Sequence, residues 1–383
     1  MNTRNFNNSD RARKLSVKRN SYKKLNPYKS FALLSAVIVL LLIFVLSSCG
    51  DTDIHSQTPS NKEGVTGLER KSDILCSPEE ESLENSVEYP VSFAAYTDKT
   101  AKFSDSFGFC SAVLIDVKNN VVLAADEAEE RIYPASLTKI MTLIVAVEKC
   151  SDLDSTFTMT SDILDSLIIE NASVAGFSAG EKVSIRDMLY GLMLPSGADA
   201  AVGIAEYISG SENEFVKLMN DKVTELGLKD THFENCTGLH HPNHYSTCHE
   251  IAKILEYALK NDIMLKVLST YQYTTAPTEQ HPEGILLTST LFSRMYGNEP
   301  DSAFVVGGKT GYTLEAHHCL ASFAVSCDED ESEESIYAKE PEYILVTIGS
   351  TNLWGPIYNA IDIYSAVSGD KEVPSVIEPT KII

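Results

Sequence analysis

The stretch Y-P-A-S-L-T-K-I, from Tyr133 to Ile140, decides how the rest of the chain is organised. The apolar residues at its end and beyond it recur on one helix face, which predicts a buried helix: Ile140, Met141, Leu143, Ile144 and Val147. Ser136 and Lys139 stand three residues apart where that helix starts, so the amine can lie beside the hydroxyl. A serine hydroxyl is a weak nucleophile that an adjacent base activates. The spacing therefore indicates a catalytic serine–lysine pair, although a serine cap beside an incidental lysine gives the same pattern.

The length and charge of the chain limit how many domains it can form and which partners it can bind. The chain has 383 residues and a formal net charge of −23, which leaves room for one large domain or two small ones. Residues 1–30 are basic, with Asp10 as their single acid, and the remainder is strongly acidic. Because the phosphates of nucleic acid repel an acidic chain, the composition argues against a nucleic-acid partner.

The amino terminus has the charge and hydrophobicity pattern of a targeting segment. Residues 1–30 predict a basic cytoplasmic leader, and the run from Phe31 to Leu46 carries no charge. A basic flank before such a run and an acidic sequence after it place the remainder on the outer face of the bacterial cytoplasmic membrane. Residues 31–49 thus form a signal or anchor segment. Its end, L-S-S-C, resembles the lipobox of bacterial lipoproteins, which would make Cys49 the lipidated residue; an uncleaved membrane anchor is the alternative.

A tether and one folded domain follow. Residues 50–92 are polar, acidic and poor in aromatic side chains, which predicts a flexible segment. Residues 93–367 form the domain, and residues 368–383 a short tail. The predicted strands are Ser111–Asp116, Val121–Ala125, Phe304–Val306, His318–Ser326 and Tyr343–Ile348, and the predicted helices include Ile185–Leu194, Ala200–Ile208 and Pro356–Val367. Strands from both ends with helices between them predict an α+β fold with one sheet around a helical insert.

Cysteines and histidines raise two further questions. The chain has eight cysteines, an even number in an exported protein, but their spacing fixes no pairing. Six potential zinc ligands lie within fourteen positions, yet no paired C-x-x-C or H-E-x-x-H pattern is present: Cys236, His240, His241, His244, Cys248 and His249. We therefore predict no metal site.

Two later motifs complete a set. Ser196-Gly197-Ala198-Asp199 follows one predicted helix, and Lys309-Thr310-Gly311-Tyr312-Thr313 ends a predicted strand. Each alone is explained by a turn. In this order with S-x-x-K they resemble the active-site serine penicillin-recognising enzymes, and more closely the low-molecular-weight penicillin-binding proteins that are serine-type D-alanyl-D-alanine carboxypeptidases. The resemblance extends over residues 93–365 and includes F-V-x-x-M-N from Phe215 and H-Y-S-T from His244.

The resemblance implies a β-lactamase/transpeptidase-like fold: an antiparallel sheet flanked by helices, an all-helical subdomain, and the active site between them. It also implies that Ser136 attacks the carbonyl between two D-alanines of a peptidoglycan stem peptide and forms an acyl-enzyme. Lys139 would be the base, its pKa lowered by burial and by the charge of Lys309. Ser196 would bridge the two lysines and pass a proton to the leaving D-alanine.

The substrate-binding roles follow in the same way. Lys309 and Thr310, together with Gly311, would bind the terminal carboxylate. The backbone N–H groups of Ser136 and Tyr312 would form the oxyanion hole. The implied partners are stem peptides ending in D-Ala-D-Ala, with β-lactams as inhibitors and the membrane as attachment. No cofactor is implied.

Two departures leave alternatives open. Ala198 stands where the family has an asparagine that touches the substrate and the lysine, which favours a catalytically weakened penicillin- or muropeptide-binding relative as one alternative. His317 follows the third motif where a small residue is common, and we expect it to be a surface residue. A β-lactamase or esterase is the other alternative, but Glu234 is followed by Asn235 and Cys236, so the lactamase E-x-x-L-N pattern is absent.

Overall fold

A computed structural model of the chain describes residues 92–295, 300, 302–328, 331, 335–336, 338–368 and 373–379. The strands are β1 Ala101–Phe103, β2 Ser111–Asp116, β3 Val121–Asp126, β4 Thr156–Thr158, β5 Lys182–Ser184, β6 Gln272–Thr274, β7 Leu286–Thr288, β8 Ala303–Thr313, β9 His317–Ser326, β10 Tyr343–Ser350 and β11 Val376–Ile377. The helices are α1 Lys139–Lys149, α2 Ser161–Ile169, α3 Ile185–Met193, α4 Ala198–Ser209, α5 Glu212–Glu225, α6 Cys248–Leu259, α7 Asp262–Leu268, α8 Phe292–Met295 and α9 Gly355–Val367. Short 3₁₀ turns span Asp105–Phe107 and Ala135–Thr138.

The main sheet joins both ends of the domain, as the sequence predicts. Its order is β11-β1-β3-β2-β10-β9-β8. The early strand β2 pairs antiparallel with the late strand β10, with Leu114 opposite Leu345. The four pairings from β3 through β2, β10 and β9 to β8 are antiparallel. Strand β8 lies at one edge, so one side of it has no strand partner in the main sheet.

The opposite edge differs from the expectation of an antiparallel sheet. Strand β1 pairs parallel with β3, and β11 pairs parallel with β1. Strand β11 belongs to the segment that the sequence assigns to the tail, yet Ile377 is fully buried. The sheet is therefore mixed, and the folded domain continues past Val367. The short β11 has only two residues, too few for an alternating pattern to reveal it.

The sheet separates two apolar cores because strand side chains alternate between its faces. Ala112 and Leu114 pack on one face with helix α9, whereas Val113 and Ile115 face the other helices. On that second face α6 packs across β2 and β10. The helical region is centred on α1, which contacts α3, α4, α5, α6 and α7.

Helix α1 is as buried as its pattern predicts. Ile140, Met141, Leu143 and Ile144 have no exposed surface. The α-helix begins at Lys139, however, and Ser136 belongs to the 3₁₀ turn just before it. Residues three apart are eclipsed in a 3₁₀ turn, so this difference brings the two side chains closer together.

The amino-terminal predictions lie outside the described residues. These are the basic leader, the apolar segment, Cys49 and most of the tether. Among the residues that the structure describes, no helix is both long and apolar enough to cross a membrane.

Candidate active site

Ser136 and Lys139 form a close pair at the start of α1. Lys139 Nζ lies 3.2 Å from Ser136 Oγ. The preceding residue, Ala135, has a φ of 48°, a left-handed conformation that costs free energy in a residue with a side chain. Such a conformation persists where the surrounding packing imposes it. Here the conformation of Ala135 determines the direction in which the chain enters the turn that contains Ser136.

Burial makes Lys139 an unusually weak base for a lysine. Its side chain is buried, and Nζ donates to the carbonyl oxygen of Thr237 at 2.5 Å. Burial lowers the pKa of Lys139 to about 8, and Cys236, Asp199 and Glu212 act in the opposite direction. Desolvation is the largest cause of the decrease. A substantial fraction of the amine is therefore neutral near pH 8.

Lys309 lies on the edge strand β8 and is also buried, with 1% of its surface exposed. Its Nζ donates to the carbonyl oxygen of Thr310 at 2.7 Å. Burial holds the pKa of Lys309 well below its usual range, and the charges of Lys139 and Arg294 act in the same direction. The two lysines are thus near enough to repel each other, and an anion between them would be stabilised.

Strand β8 approaches the serine closely. A Cβ atom on Gly311 would lie 3.2 Å from the backbone nitrogen of Ser136. Next to it, Thr310 Oγ1 bonds Thr290 Oγ1 at 2.6 Å, which fixes one hydroxyl at the start of the motif. Tyr312 is 52% exposed at the end of the motif. The third motif therefore forms one wall of the site, open to solvent at Tyr312.

Ser196 lies in the loop between α3 and α4. Its φ is 67°, and only 7% of its surface is exposed. Among the described residues its Oγ has no hydrogen-bond partner. The expected bridge from Ser196 to the two lysines is therefore not made here, because both amines bond backbone carbonyls instead. A buried hydroxyl without a partner is costly, so it is available for a bond to a bound molecule.

Neither Ala198 nor Asp199 of the second motif supplies the amide that the family has at position 198. Ala198 is buried and has no polar side chain to offer. Asp199 points away, as the sequence suggests: Oδ1 accepts from the N–H of Ala175 at 2.7 Å, and Oδ2 accepts from Gly176 at 3.0 Å and Phe177 at 3.3 Å. Its carboxylate therefore fixes the loop before α3 and does not replace the missing amide.

The structure adds Arg294, which the sequence did not indicate. Arg294 is half-buried on the short helix α8, and burial lowers its pKa. Within the described residues it forms no ion pair with a carboxylate. Its charge acts on both Lys309 and His318, so it lies near the third motif. No local pattern distinguishes this arginine, because its proximity depends on how the chain returns to the sheet.

The cysteine- and histidine-rich segment has structural contacts. His244 Nε2 bonds Thr138 Oγ1 at 2.7 Å, and burial lowers the pKa of His244 to about 3. Cys236 contacts Glu212, and Cys248 contacts Ser111. The six cysteines in the described part of the chain have free thiols.

The two histidines after the third motif are arranged differently from each other. His317 is exposed, as we expected. His318 stacks on Tyr312 with ring centroids 4.4 Å apart. The histidine that borders the site is therefore His318.

The fold and the site together define a serine enzyme of the penicillin-recognising class, with a lysine next to the serine and a second lysine on the edge strand. The chain belongs to the D-alanyl-D-alanine carboxypeptidase family of peptidases, which matches residues 99–331.

Relatives agree with this assignment. The chain is 39% identical over 219 residues to D-alanyl-D-alanine carboxypeptidase DacF of Bacillus subtilis, covering 56% of this chain and 53% of that protein. It is 35% identical over 200 residues to a D-alanyl-D-alanine carboxypeptidase of a Streptomyces species, covering 50% of this chain and 68% of that protein. The chain thus spans about half to two thirds of the length of these curated relatives.

Solved structures agree as well. The Streptomyces DD-transpeptidase crystal structure matches with a TM-score of 0.56 and 29% identity, over 67% of this chain and 97% of that one. Penicillin binding protein 5 from Haemophilus influenzae matches with a TM-score of 0.56 and 26% identity, over 66% of this chain and 68% of that one. The predicted fold class and family are confirmed.

Proposed function

We propose that this protein is a serine D-alanyl-D-alanine carboxypeptidase. It removes the terminal D-alanine from peptidoglycan stem pentapeptides through an acyl-enzyme, and penicillins acylate the same serine. The observation that carries the proposal is the pair of half-buried Ser136 and buried Lys139, whose Oγ and Nζ atoms lie 3.2 Å apart next to the strand that carries Lys309. The neutral amine of Lys139 can activate the Ser136 hydroxyl, and the charge of Lys309 can bind the terminal carboxylate of a substrate. This arrangement fits acyl transfer from a peptide with a free C-terminus.

In the first step Ser136 attacks the carbonyl carbon between the two D-alanines. Its proton passes to Lys139, whose pKa of about 8 leaves much of the amine neutral. The oxyanion accepts from the backbone N–H groups of Ser136 and Tyr312. One such donor contributes about 3–4 kcal/mol to transition-state stabilisation.

In the second step the peptide C–N bond breaks. The proton held by Lys139 moves through the Ser196 hydroxyl to the nitrogen of the departing D-alanine. Ser196 Oγ is buried and without a partner among the described residues, so a substrate nitrogen would give it one. Water then attacks the ester carbonyl and gives one proton to Lys139. The bond between the carbonyl carbon and Ser136 Oγ breaks, Lys139 returns the proton to Oγ, and the shortened peptide leaves with a free carboxylate.

The substrate carboxylate binds at the third motif. Lys309 supplies charge, Thr310 supplies a hydroxyl, and Arg294 supplies a second cation without a carboxylate partner among the described residues. Burial of cations near one another costs free energy that a bound anion offsets. The free edge of β8 offers backbone groups to an extended peptide, in the manner of an added strand.

The test is release of D-alanine from diacetyl-Lys-D-Ala-D-Ala. We expect release by the wild-type protein and none above background by Ser136→Ala. A fluorescent penicillin should label the wild type and remain bound. Rapid turnover of the penicillin would instead indicate a β-lactamase.

One observation favours a second candidate, a weakened binding protein. Ala198 cannot contact the substrate, and Ser196 bridges neither lysine. Stable penicillin labelling without D-alanine release would support this candidate. In that case Ala198→Asn, which restores the amide, should restore release.

We further propose that the chain is attached to the outer face of the cytoplasmic membrane through residues 31–49. The support is the uncharged run from Phe31 to Leu46 behind a basic leader. Lipidation of Cys49 is the form of attachment that the L-S-S-C sequence favours. A labelled fatty acid should enter the wild type and not Cys49→Ala. Label in the variant would contradict lipidation at Cys49, and a membrane-bound wild type without label would favour an uncleaved anchor.

A further inference from the structure

The turn formed by residues 235–239 lies against both members of the serine–lysine pair. The carbonyl oxygen of Thr237 accepts from Lys139 Nζ at 2.5 Å. Gly238 has a φ of 82°, and a Cβ atom there would lie 1.9 Å from the carbonyl oxygen of Ala135. The turn therefore touches the amine with one residue and the backbone just before the serine with the next.

The Asn235 side chain makes four hydrogen bonds within this turn, while Thr237 Oγ1 accepts from the N–H of Leu239 at 3.3 Å and Glu212 Oε1 accepts from the N–H of Cys236 at 2.9 Å. Asn235 Oδ1 accepts from the N–H of Thr237 at 3.2 Å, the hydroxyl of Thr237 at 3.1 Å and the N–H of Gly238 at 2.7 Å. Its Nδ2 donates to the carbonyl oxygen of Leu239 at 2.9 Å. All four bonds end within the turn, and two of them fix the N–H groups on either side of the Thr237 carbonyl, at Thr237 and Gly238.

The direction of that carbonyl matters because a neutral amine has two N–H groups and one lone pair. When Thr237 accepts one N–H, the rotation of the amine is restricted, and the lone pair can face Ser136 Oγ. A general base needs such an orienting group beside it. The other groups whose charges act on Lys139 or respond to it are Cys236, Asp199, Glu212, His244 and Lys309.

The geometry points to Asn235 as a positioning residue for the general base: it fixes the Thr237 carbonyl, which orients the Lys139 amine towards Ser136. This assignment rests on the proposed function, in which Lys139 takes the proton of Ser136. Asn235 acts through Thr237 and touches neither substrate nor serine.

Two substitutions at this position should shift the pH profile in opposite directions. Asn235→Ala leaves the Thr237 carbonyl free to turn away from Lys139. Because that carbonyl stabilises the charged amine, the pKa of Lys139 should fall. The midpoint of the pH profile of acylation should therefore move to lower pH. The plateau rate should fall at least about tenfold because the amine is no longer oriented. Asn235→Asp keeps the acceptor oxygen and adds a negative charge, so the midpoint should move to higher pH with a plateau within about threefold of wild type.

Asn220 provides a matched control. It is half-buried like Asn235, and its carboxamide also bonds backbone groups: Nδ2 donates to Phe233 at 2.9 Å and Val216 at 3.1 Å, and Oδ1 accepts from Phe233 at 3.0 Å. Asn220→Ala thus removes an equivalent set of bonds without touching the turn. We expect it to leave the midpoint unchanged.

The experiment measures the second-order rate constant for labelling of the full chain by a fluorescent penicillin between about pH 6 and about pH 10. The wild type, both Asn235 variants, Asn220→Ala and Ser136→Ala are compared. Shifts of opposite sign at Asn235, with no shift at Asn220, would support the assignment. If Asn235→Ala keeps the wild-type midpoint and plateau, or does not fold while Asn235→Asp shifts to lower pH, the assignment is overturned. A wild type that takes no label overturns the proposed function itself.

Discussion

Gly311 and Ser136 lie in backbone contact across the site: a Cβ atom on Gly311 would sit 3.2 Å from the Ser136 nitrogen and 3.3 Å from the Ala135 side chain. The edge strand can approach the serine only because residue 311 has no side chain. Both proposed oxyanion donors, the N–H groups of Ser136 and Tyr312, are adjacent to this contact. Their separation is therefore set by the closeness of strand and turn.

Gly311→Ala should accordingly reduce acylation more than stability. The added methyl group has to push β8 and the serine turn apart by a few tenths of an ångström, and we expect penicillin labelling to slow by about tenfold or more. Overpacking should cost about 1 kcal/mol of unfolding free energy. Labelling rates and urea unfolding of the same preparation measure the two effects.

Gly203→Ala is the control for this substitution. A Cβ atom there would lie 3.1 Å from Met159 and 3.1 Å from Met188, an equally tight contact on α4. The methionine ends can move aside and alanine favours a helix interior, so this substitution should cost no more stability than Gly311→Ala and change labelling little. Equal slowing in both variants would show that general loosening of the fold, rather than the distance across the site, sets the rate.

The rate of acylation should rise with pH and level off above about pH 8. Burial lowers the pKa of Lys139 to about 8, and only its neutral form accepts the proton of Ser136. Protonation of the amine therefore reduces the rate as pH falls below that value. His244 does not contribute in this range, because its pKa is lowered to about 3. Penicillin labelling rates across this range test the assignment, and a rate that stays constant from about pH 6 to about pH 9 contradicts it.

Local patterns in the sequence were enough to predict part of this site. The burial of α1 and the nearness of Ser136 to Lys139 follow from residues within one helical turn. The contact between Lys139 and Thr237 joins residues 98 positions apart, and nothing near either residue marks it. Such contacts depend on tertiary packing, which local patterns do not encode.

In the sheet, too, some features follow from local sequence patterns and others depend on tertiary packing. The longer strands have enough residues for an apolar pattern, and β2 was predicted with its observed bounds. Strand β8 is longer than the predicted Phe304–Val306, because its glycine-rich second half lacks an apolar pattern and is stabilised by pairing with β9. That unpredicted half is the part that carries the third motif.

Asp199 should matter mainly for stability. Its buried carboxylate accepts backbone N–H groups from three consecutive residues, 175 to 177. Asp199→Ala leaves these donors without a partner, and we expect a loss of about 3 kcal/mol of unfolding free energy. Asp199→Asn keeps one acceptor oxygen and should lose less. Urea unfolding measures both, and a loss in Asp199→Ala no larger than that of an exposed aspartate such as Asp162→Ala would argue against this role.

Arg294 should act on substrate affinity more than on the chemical step. Its guanidinium has no carboxylate partner in the described part of the chain, and its charge acts on Lys309. A charge-assisted bond to the terminal carboxylate contributes about 1.5–3 kcal/mol, so Arg294→Ala should raise KM for diacetyl-Lys-D-Ala-D-Ala by roughly 10- to 100-fold. We expect kcat to change by less than about threefold, because the carboxylate is bound equally in the ground and transition states. Arg294→Lys keeps the charge and should recover part of the affinity. Arg186, which pairs with Asp154 on the surface, is the matched control, and Arg186→Ala should leave KM unchanged. A fall in kcat at constant KM in Arg294→Ala would instead place this arginine in the acylation step, and the carboxylate would then depend on Lys309 and Thr310 alone.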